Sequence, residues 1–482
     1  MKNILLVSSE CVPFIKTGGL ADVVGELPKY TDKEKFDVRV IIPNYKAIPQ
    51  KYKDKMQFVT SFYMDLGWRR QYVGVLETEI DGVRFYFIDN EYYFNGEKPY
   101  GNIYEDIEKF AFFDRAVLSS LPLINFRPDI IHCNDWQTGL LPVYLHDSFY
   151  GGEFYRGIKS IMTIHNLKFQ GIWNKKTVMD IAGLSPYYFT DDKLEAYGDA
   201  NYLKGGIVYA DYVTTVSEQY AKEIQMPYYG EGLDGLMRAR NNCLRGIVNG
   251  IDYKEYNPQT DRFIPHHFSR ATFKENKKKD KTELQKELGL EVNDKKFMVG
   301  IVSRLTDQKG LDLVECVIEQ ICAEDLQLVI LGTGEQKYEN LFRHYEWKYK
   351  GKVSASIYYN EERAHKIYAS CDAFLMPSLF EPCGLSQLMA MRYGTVPIVR
   401  ETGGLKDTVE PYNEYENKGT GFSFMNYNAH EMLRTIRYAE NTFYNKKRAW
   451  NKIVERAMDK DFSWTTSAKK YEELYDEITS VK

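Results

Sequence analysis

The chain has 482 residues, of which 27% are charged, and a formal net charge of -5. This length exceeds what one ordinary hydrophobic core holds and suits two large α/β domains. The near balance of charge argues against nucleic acid or an anionic membrane as a partner and favours a neutral or small-molecule partner.

The first residues predict a β-strand rather than a targeting segment. Met1-Lys2-Asn3 is followed by only four apolar residues, which is too short for a signal peptide. No apolar stretch approaches the roughly 20 residues that cross a bilayer. The seven cysteines are an odd number and include no Cys-x-x-Cys pair, which argues against a disulfide framework. We therefore expect a soluble, cytoplasmic protein with reduced thiols.

Short apolar, β-branched segments alternate with helical stretches through the first half of the chain. The predicted strands lie at residues 3–8, 37–43, 83–89, 129–133, 160–165, 212–217 and 244–249. Such alternation is typical of a parallel, doubly wound sheet. The first half therefore predicts one Rossmann-like domain.

The pattern restarts after a turn-rich stretch, Asn249-Gly250-Ile251-Asp252, which we interpret as a hinge. The second series of predicted strands lies at residues 297–303, 326–332, 354–359, 373–377 and 396–399. We predict a first domain at 1–250 and a second at 251–460. In the last segment, 461–482, a helix at about 467–478 can pack back on the first domain.

Two similar glycine turns occur, one in each predicted domain. Thr17-Gly18-Gly19-Leu20 is echoed by Thr402-Gly403-Gly404-Leu405, and each turn follows a strand and opens a helix. Glycines at this position let a ligand approach backbone N–H groups at the positive end of a helix. Both turns are therefore candidate binding elements.

Two cations follow the first strand of the second series. Arg304 comes at the end of that strand, and Lys309 precedes Gly310 at the start of the next helix. Open α/β sheets bind ligands at the carboxyl ends of their strands. Cations there suit a departing diphosphate, although two surface cations that cap a loop would give the same pattern.

The turn Phe380-Glu381-Pro382-Cys383-Gly384-Leu385 lies between a predicted strand and a helix. A carboxylate here can accept hydrogen bonds from sugar hydroxyls, while the N–H groups of Cys383, Gly384 and Leu385 can donate to sugar or phosphate oxygens. Alternatively, Glu381 is an acidic residue favoured by the helix dipole.

Taken together, the motifs resemble the successive signatures of bacterial glycogen synthases and plant starch synthases. They occur in the order of that family and cover nearly the whole chain. The segments are Lys16-Thr17-Gly18-Gly19-Leu20, His132-Cys133-Asn134-Asp135-Trp136, Thr163-Ile164-His165-Asn166-Leu167, Gly232-Leu233-Asp234-Gly235-Leu236, Asn249-Gly250-Ile251-Asp252, Ser303 through Gly310, and Glu381-Pro382-Cys383-Gly384-Leu385.

The resemblance implies an α/β fold of GT-B architecture, with two Rossmann-like domains facing across a cleft. It implies growth of an α-1,4-glucan at its non-reducing end, with ADP-glucose as donor and retention of configuration. Lys16, Gly18, Arg304 and Lys309 would bind the diphosphate. Gly19, Gly403 and Gly404 are further candidates for substrate binding. The glucose would be positioned by Glu381, His165 and Asn249, with Asp135 near the reacting carbon and Tyr359 beside the adenine.

Two residues depart from the family pattern, since Ser386 stands where Thr is expected and Glu255 where a bulkier or different residue is expected. Neither change removes a group that the chemistry needs. A second Glu often follows the first by eight residues in other retaining GT-B enzymes, whereas here that position is Met389. Its absence points away from enzymes that resemble sucrose synthase.

No metal site and no cofactor are predicted. Asp459-Lys460-Asp461 lies in a helical context near the carboxyl terminus, and His266-His267 lacks companion ligands at metal-binding spacing. The alternatives are a UDP-glucose-dependent relative, a nicotinamide-dependent oxidoreductase and a non-catalytic glucan-binding protein. The first glycine turn lacks the dinucleotide-binding Gly-x-Gly-x-x-Gly pattern. The sequence leaves the oligomeric state open.

Overall fold

The computed structural model describes residues 1–149 and 151–480. The chain forms two compact units. The first comprises Met1–Val216 and Ala221–Ile247 together with the segment that begins at Trp464, and the second comprises Ser217–Tyr220 and Val248–Ser463. The domain limits predicted at residues 250 and 460 stay predictions.

The first unit is built on twelve strands within the described residues. They are β1 (Lys2–Val7), β2 (Phe36–Pro43), β3 (Gln57–Leu66), β4 (Arg69–Ile80), β5 (Val83–Asp89), β6 (Ile130–Asn134), β7 (Lys159–Ile164), β8 (Ile172–Asn174), β9 (Glu195–Ala196), β10 (Asp199–Asn201), β11 (Tyr212–Thr215) and β12 (Leu244–Gly246).

Nine of these strands form one sheet in the order β12-β11-β7-β6-β1-β2-β5-β4-β3. The strands from β12 to β5 are parallel, and Ile4 of β1 lies opposite Val38 on one side and Ile130 on the other. The inner strands are almost continuously buried, as expected for a parallel sheet covered on both faces. A small antiparallel sheet has the order β8-β10-β9.

Helices connect these strands in the first half of the chain. They are α1 (Gly19–Tyr30), α2 (Gln50–Lys53), α3 (Glu91–Phe94), α4 (Ile103–Ser120), α5 (Leu140–Tyr144), α6 (Lys175–Ala182), α7 (Tyr202–Tyr209), α8 (Glu218–Glu223) and α9 (Asp234–Ala239).

The second unit contains a six-stranded parallel sheet. Its strands are β13 (Phe297–Val302), β14 (Leu326–Leu331), β15 (Val353–Ser356), β16 (Ala373–Met376), β17 (Val396–Arg400) and β18 (Phe422–Phe424). Their order is β15-β14-β13-β16-β17-β18, and every neighbouring pair is parallel.

The helices of the second unit flank this sheet in chain order. They are α10 (Phe273–Glu287), α11 (Leu311–Ala323), α12 (Gln336–Lys348), α13 (Glu361–Ser370), α14 (Ser386–Arg392), α15 (Gly403–Thr408), α16 (Ala429–Asn445) and α17 (Lys447–Asp459). In α11 the apolar residues Leu311, Val314, Ile318 and Ile321 are buried, which is the spacing of one helix face against a core.

The last helix, α18 (Trp464–Ser480), belongs to the first unit and contacts α1. Its aromatic residues Trp464, Tyr471 and Tyr475 are buried. The Tyr475 hydroxyl lies 2.9 Å from Nδ1 of His132 in β6. Because of these contacts, the end of the chain completes the core of the unit in which the chain began.

Three features differ from the sequence-based strands. The antiparallel hairpin of β3 and β4, the small sheet of β8 to β10 and the edge strand β18 were not predicted. The strand predicted to reach residue 359 ends at Ser356, and the one predicted to reach residue 249 ends at Gly246. The hairpin strands carry many exposed positions. The strands β8, β9, β10 and β18 have three residues or fewer, which is too short for a clear pattern in sequence.

Among the described residues, no helix combines the length and the apolar character needed to cross a membrane. All seven cysteines are free thiols, and Cys316 alone among them is exposed.

Candidate active site

The strand order of the second sheet reverses between β13 and β16. From β13 the chain moves outward to β14 and β15, then returns to the other side of β13 through β16. The loops that leave the carboxyl ends of two such strands diverge and form a binding crevice. Arg304 and Lys309 follow β13, and Glu381 follows β16, so this crevice contains three of the predicted site residues.

Lys309 and Glu381 are in direct contact at this point. Nζ of Lys309 lies 2.7 Å from Oε2 of Glu381, and the Ser378 hydroxyl donates to the same oxygen at 3.0 Å. The Glu381 residue is only 6% exposed. The pairing fixes the carboxylate and places a cation beside it.

A close backbone approach holds the two loops together. Gly310 has φ 71°, and a Cβ on it would lie 2.0 Å from the carbonyl oxygen of Pro377. Any larger residue at 310 would push the Lys309 turn away from the end of β16. The glycine that follows Lys309 therefore determines how near this lysine lies to Glu381.

Arg304 is exposed at the end of β13. Its loop is held by the N–H of Leu305, which donates to the carbonyl of Thr333 at 2.8 Å. A Cβ on Gly332 would lie 1.9 Å from the carbonyl oxygen of Ser303, and one on Gly334 would lie 2.2 Å from that of Leu305. These glycines were missed by the sequence analysis, although Gly-x-Gly directly after a strand is a usable signal.

The turn that carries Glu381 is stabilised from within. Gly384 has φ 72°, and Nε2 of Gln387 donates to the carbonyls of Cys383 at 3.1 Å and Gly384 at 2.8 Å. Leu385 then leads into α14. Burial raises the pKa of the Cys383 thiol to about 12, so this residue is a neutral thiol and no nucleophile at physiological pH.

The second glycine turn packs against the Glu381 turn. A Cβ on Gly403 would lie 1.9 Å from the carbonyl oxygen of Glu381, and one on Gly404 would lie 1.9 Å from that of Cys383. The N–H of Gly404 donates to the Glu381 carbonyl at 3.0 Å. The Gly404 N–H is thus already used to position Glu381. The binding role expected of Gly403 and Gly404 stays a prediction.

Asn249 lies in the same unit and is 4% exposed. Its backbone N–H donates to the sulfur of Cys383. Its side-chain Oδ1 is buried and has no hydrogen-bond partner among the described residues. An unsatisfied buried acceptor is costly, and a ligand hydroxyl would satisfy it.

Tyr359 lies between β15 and α13 and is 79% exposed. The predicted strand at this place is shorter, so the ring stands on a loop rather than on the sheet. An exposed ring at the carboxyl end of a strand can stack on a planar base.

The sheet of the first unit has its own reversal, between β1 and β6. Asp135 directly follows β6, with φ 58°. Its carboxylate accepts from the N–H of His165 at 2.7 Å and from the N–H of Asn166. Burial outweighs these hydrogen bonds and raises the pKa of Asp135 to about 7.

The ring of His165 has an assignable tautomer. Nδ2 of Asn134 donates to the carbonyls of Val7 at 3.1 Å and His132 at 3.2 Å, which directs Oδ1 of Asn134 toward Nε2 of His165 at 2.9 Å. Nε2 must therefore carry the proton, and Nδ1 is the acceptor nitrogen. Burial lowers the pKa of His165 to about 3, so the ring is neutral.

Glu10 positions the first glycine turn and was missed by the sequence analysis. It is 3% exposed and accepts hydrogen bonds from the N–H and hydroxyl of Thr17 and, at 2.9 Å, from the Tyr100 hydroxyl. Burial raises its pKa. No sequence pattern distinguishes this glutamate, since its partners are brought to it only by the fold.

The first glycine turn is open, unlike the second. No atom lies within 4 Å of a Cβ placed on Gly18, and Gly18 and Gly19 are both exposed. The neighbouring Lys16 forms an ion pair with Asp22 at 2.8 Å. The two turns are alike in sequence, but only the first leaves space for a ligand against its backbone.

Comparison with known proteins covers both units. Residues 3–239 match the family model "starch synthase catalytic domain", and residues 280–456 match "glycosyl transferases group 1". The chain is 71% identical to glycogen synthase of Lachnospira eligens over 99% of this chain and 100% of that protein. It is 52% identical to glycogen synthase of Clostridium acetobutylicum over 98% and 99%.

The chain belongs to the glycogen synthase family. A solved structure, the catalytic domain of starch synthase IV from Arabidopsis thaliana bound to ADP and acarbose, matches with a TM-score of 0.90 and 30% identity. The match covers 99% of each chain. The predictions of family and of GT-B fold class are thereby confirmed, and the chain is a glycosyltransferase.

A sucrose-phosphate synthase from Thermosynechococcus elongatus also matches, with a TM-score of 0.63 and 17% identity. At this identity the match shows a shared fold. The roles of the individual site residues stay predictions.

Proposed function

We propose that this member of the glycogen synthase family transfers glucose from ADP-glucose to the non-reducing end of an α-1,4-glucan, with retention of the α configuration. The observation that carries the proposal is the contact of Lys309 with Glu381, together with exposed Arg304 after the same strand, β13. The crevice between the loops after β13 and β16 thus contains cations that suit a diphosphate and a carboxylate that suits sugar hydroxyls.

The cations act on the leaving group. When the bond between glucose and phosphate breaks, negative charge grows on the departing ADP. Arg304 and Lys309 stabilise this charge more strongly in the transition state than in the bound donor. Lys16 and the open turn of Gly18 and Gly19 supply a further cation and backbone N–H groups.

The sugar is held by groups that are already fixed in position. Glu381 is oriented by Lys309 and Ser378 and accepts from glucose hydroxyls. Asn249 offers its unpaired buried Oδ1 to a hydroxyl. Neutral His165 can accept a hydrogen bond at Nδ1 without adding positive charge near the reacting carbon.

Retention is compatible with two routes, of which we favour the front-face one. In this route the bond between C1 and the phosphate oxygen of ADP breaks, the 4-hydroxyl oxygen of the acceptor's non-reducing end bonds to C1 on the same face, and the hydroxyl proton passes to the departing phosphate oxygen. A double displacement needs a carboxylate nucleophile on the opposite face. Asp135 is the single candidate we name, and its two backbone N–H donors lower its nucleophilicity.

A donor panel tests the proposal. With a maltooligosaccharide acceptor, we expect kcat/KM for ADP-glucose to exceed that for UDP-glucose, with release of one nucleoside diphosphate for each glucose added. Exposed Tyr359 can stack on either base, so the preference depends on the shape of the pocket. Equal use of the donors, or a preference for UDP-glucose, would contradict the proposed donor.

The competing activities have direct readouts. A nicotinamide-dependent oxidoreductase would change the absorbance of its cofactor, and a purely glucan-binding protein would release no nucleotide. Neither activity needs Arg304, Lys309 and Glu381 together.

A further inference from the structure

A second cluster of polar side chains lies in the second unit, made by residues that the transfer reaction does not use. Glu255, Glu361 and His365 bring one ligand atom each to within 4.8 Å of one another. Glu361 and His365 are one turn apart on α13, so both project from the same helix face. Glu255 comes from the segment that precedes α10, and it is one of the two residues that depart from the family pattern.

The histidine of this cluster is completely buried and held in one orientation. Its Nδ1 lies 2.7 Å from Oδ2 of Asp261, an oxygen that also accepts from the Tyr393 hydroxyl at 2.5 Å. Because a carboxylate accepts, Nδ1 of His365 is the protonated nitrogen, and Nε2 carries the lone pair. A metal-binding histidine usually donates one ring N–H to a carboxylate and offers the lone pair of its other ring nitrogen to the metal.

The remaining nitrogen is unsatisfied. Nε2 of His365 is buried and has no hydrogen-bond partner among the described residues. The nearby carboxylates of Glu255 and Glu361 are acceptors when ionised, so neither can donate to it. A buried acceptor without a partner is unfavourable. A cation would satisfy the lone pair and offset the repulsion between the two carboxylates.

Aromatic rings fix the plane of the imidazole. Tyr256 stacks on His365 with ring centroids 4.7 Å apart and an interplanar angle of 14°, and Phe263 contacts its edge with centroids 5.0 Å apart. The lone pair therefore has a defined direction. The two glutamates are exposed, whereas the histidine is buried.

We propose that Glu255, Glu361 and His365 bind one divalent cation, with Zn²⁺ as the ion that best fits the ligands. One imidazole nitrogen and two carboxylate oxygens suit Zn²⁺, whose bonds to these atoms are about 2.0–2.2 Å long. Mg²⁺ and Ca²⁺ prefer shells made of oxygen alone. The ion ties the segment around residue 255 to the start of α13 and so stabilises the second unit.

Calorimetric titration of the full chain tests the site. The protein is treated with EDTA, dialysed, and titrated with Zn²⁺ while its melting temperature is followed in parallel. We expect one tightly bound ion per chain and a higher melting temperature with Zn²⁺ than with the same concentration of Mg²⁺. An equal response to Mg²⁺ would overturn the assignment to Zn²⁺.

Variants locate the ion. Glu361→Gln and Glu255→Gln each remove a ligand charge from an exposed residue and should weaken Zn²⁺ binding at least about tenfold. The matched control is Glu362→Gln, in the same helical turn, whose carboxylate pairs with Lys366 at 2.9 Å. It should bind Zn²⁺ like the unmodified protein. Equal affinity in all three variants, or no saturable binding to the unmodified chain, would overturn the proposal.

Discussion

Arg304 and Lys309 are both proposed to bind the diphosphate, but they have different surroundings. Lys309 is paired with buried Glu381, whereas Arg304 is exposed and forms no ion pair within the described residues. Removing Lys309 leaves a buried carboxylate with Ser378 as its remaining side-chain donor. Removing Lys309 should therefore destabilise the protein more than removing Arg304. Removing either cation should lower the rate of catalysis to a similar degree.

We predict that Arg304→Ala and Lys309→Ala each lower kcat by at least about 10²-fold, which corresponds to about 2.7 kcal/mol of lost transition-state stabilisation. Donor KM should rise less than kcat falls. Steady-state kinetics with ADP-glucose measures both. A variant with nearly normal kcat would remove that residue from the leaving-group role.

Stability separates the same two variants. Lys309→Ala should lower the free energy of unfolding by about 1–3 kcal/mol, because a buried charge loses its partner. Arg304→Ala should leave it unchanged within about 0.5 kcal/mol. Urea unfolding gives the comparison. The double variant Lys309→Ala with Glu381→Gln should recover part of the lost stability but none of the activity.

The pKa of Asp135 predicts a pH dependence. Burial raises this pKa from an ordinary 3.8 to about 7, whereas His165, with a pKa of about 3, stays neutral above pH 5. If ionised Asp135 is needed near the reacting carbon, kcat/KM should rise with pH through about 7. Asp135→Asn should remove this limb of the profile, and His165→Asn should lower the rate but keep the limb.

Stability should change in the opposite direction over the same range. Because the folded pKa of Asp135 lies above the unfolded one, the folded chain holds a proton that the unfolded chain releases. Its contribution to stability is therefore greatest below about pH 4 and is lost as pH rises to about 7. Asp135→Asn should flatten that part of the profile, and an unchanged slope would show that another group titrates there.

The sequence predicted individual site residues better than their partners. Arg304, Lys309 and Glu381 stand at strand ends that periodicity and motifs reveal. The contact between Lys309 and Glu381 joins residues 72 positions apart and depends on the glycine at 310. Glu10 could not be predicted, because a buried glutamate resembles any other glutamate in sequence.

At the level of secondary-structure elements, the two glycine turns have similar sequences but different surroundings. Gly18 has open space where a Cβ would be, whereas Gly404 packs against the carbonyl of Cys383. The first turn begins a helix of twelve residues, and the second begins one of six that supports the Glu381 turn. The difference arises from the second turn's contact with a neighbouring loop, which the local sequence does not encode.

We predict opposite outcomes for alanine at these two positions. Gly404→Ala should lower the melting temperature by several degrees, because its Cβ would lie 1.9 Å from a backbone oxygen. Gly18→Ala, with φ -159°, should fold normally but raise the donor KM if a ligand approaches that backbone. Differential scanning calorimetry and kinetics distinguish them. A stable, fully active Gly404→Ala protein would contradict the packing argument.

Apart from β18, the parallel strands of both sheets were predictable because they are short, mostly buried and apolar. β13 and β14 are buried at nearly every position, which gives an unmistakable apolar run. The hairpin of β3 and β4 was missed because many of its residues face solvent, among them Phe58 and Tyr63, each 64% exposed. Whether a segment pairs at the edge of a sheet depends more on the neighbouring strand than on the sequence of the segment.

At the scale of the whole molecule, two sheets of the same type carry different chemistry at their reversal points. The second presents cations and a fixed carboxylate, and the first presents a neutral histidine and an aspartate that titrates near neutral pH. The assignment of a donor side to the second unit and an acceptor side to the first stays a prediction.

Chelation should separate stability from chemistry. Since we propose that Arg304 and Lys309 stabilise the leaving group, we expect EDTA to leave kcat within about twofold of its initial value. If the proposed ion is bound at Glu361 and His365, EDTA should lower the melting temperature. Assays before and after chelation, with Zn²⁺ added back, measure both effects. Loss of turnover restored by a divalent cation would contradict charge stabilisation by the two side chains.

We propose that glucose is transferred to the non-reducing end of an α-glucan with retention of configuration. The anomeric configuration of the first bond formed is the sharpest test of this reaction. ADP-glucose labelled with ¹³C at C1 is incubated with a maltooligosaccharide, and the product is followed by NMR from the first turnover. We expect a labelled α-1,4-linked residue at the non-reducing end, formed in equal amount with ADP. A β-linked product, or free labelled glucose with no extended chain, would contradict it.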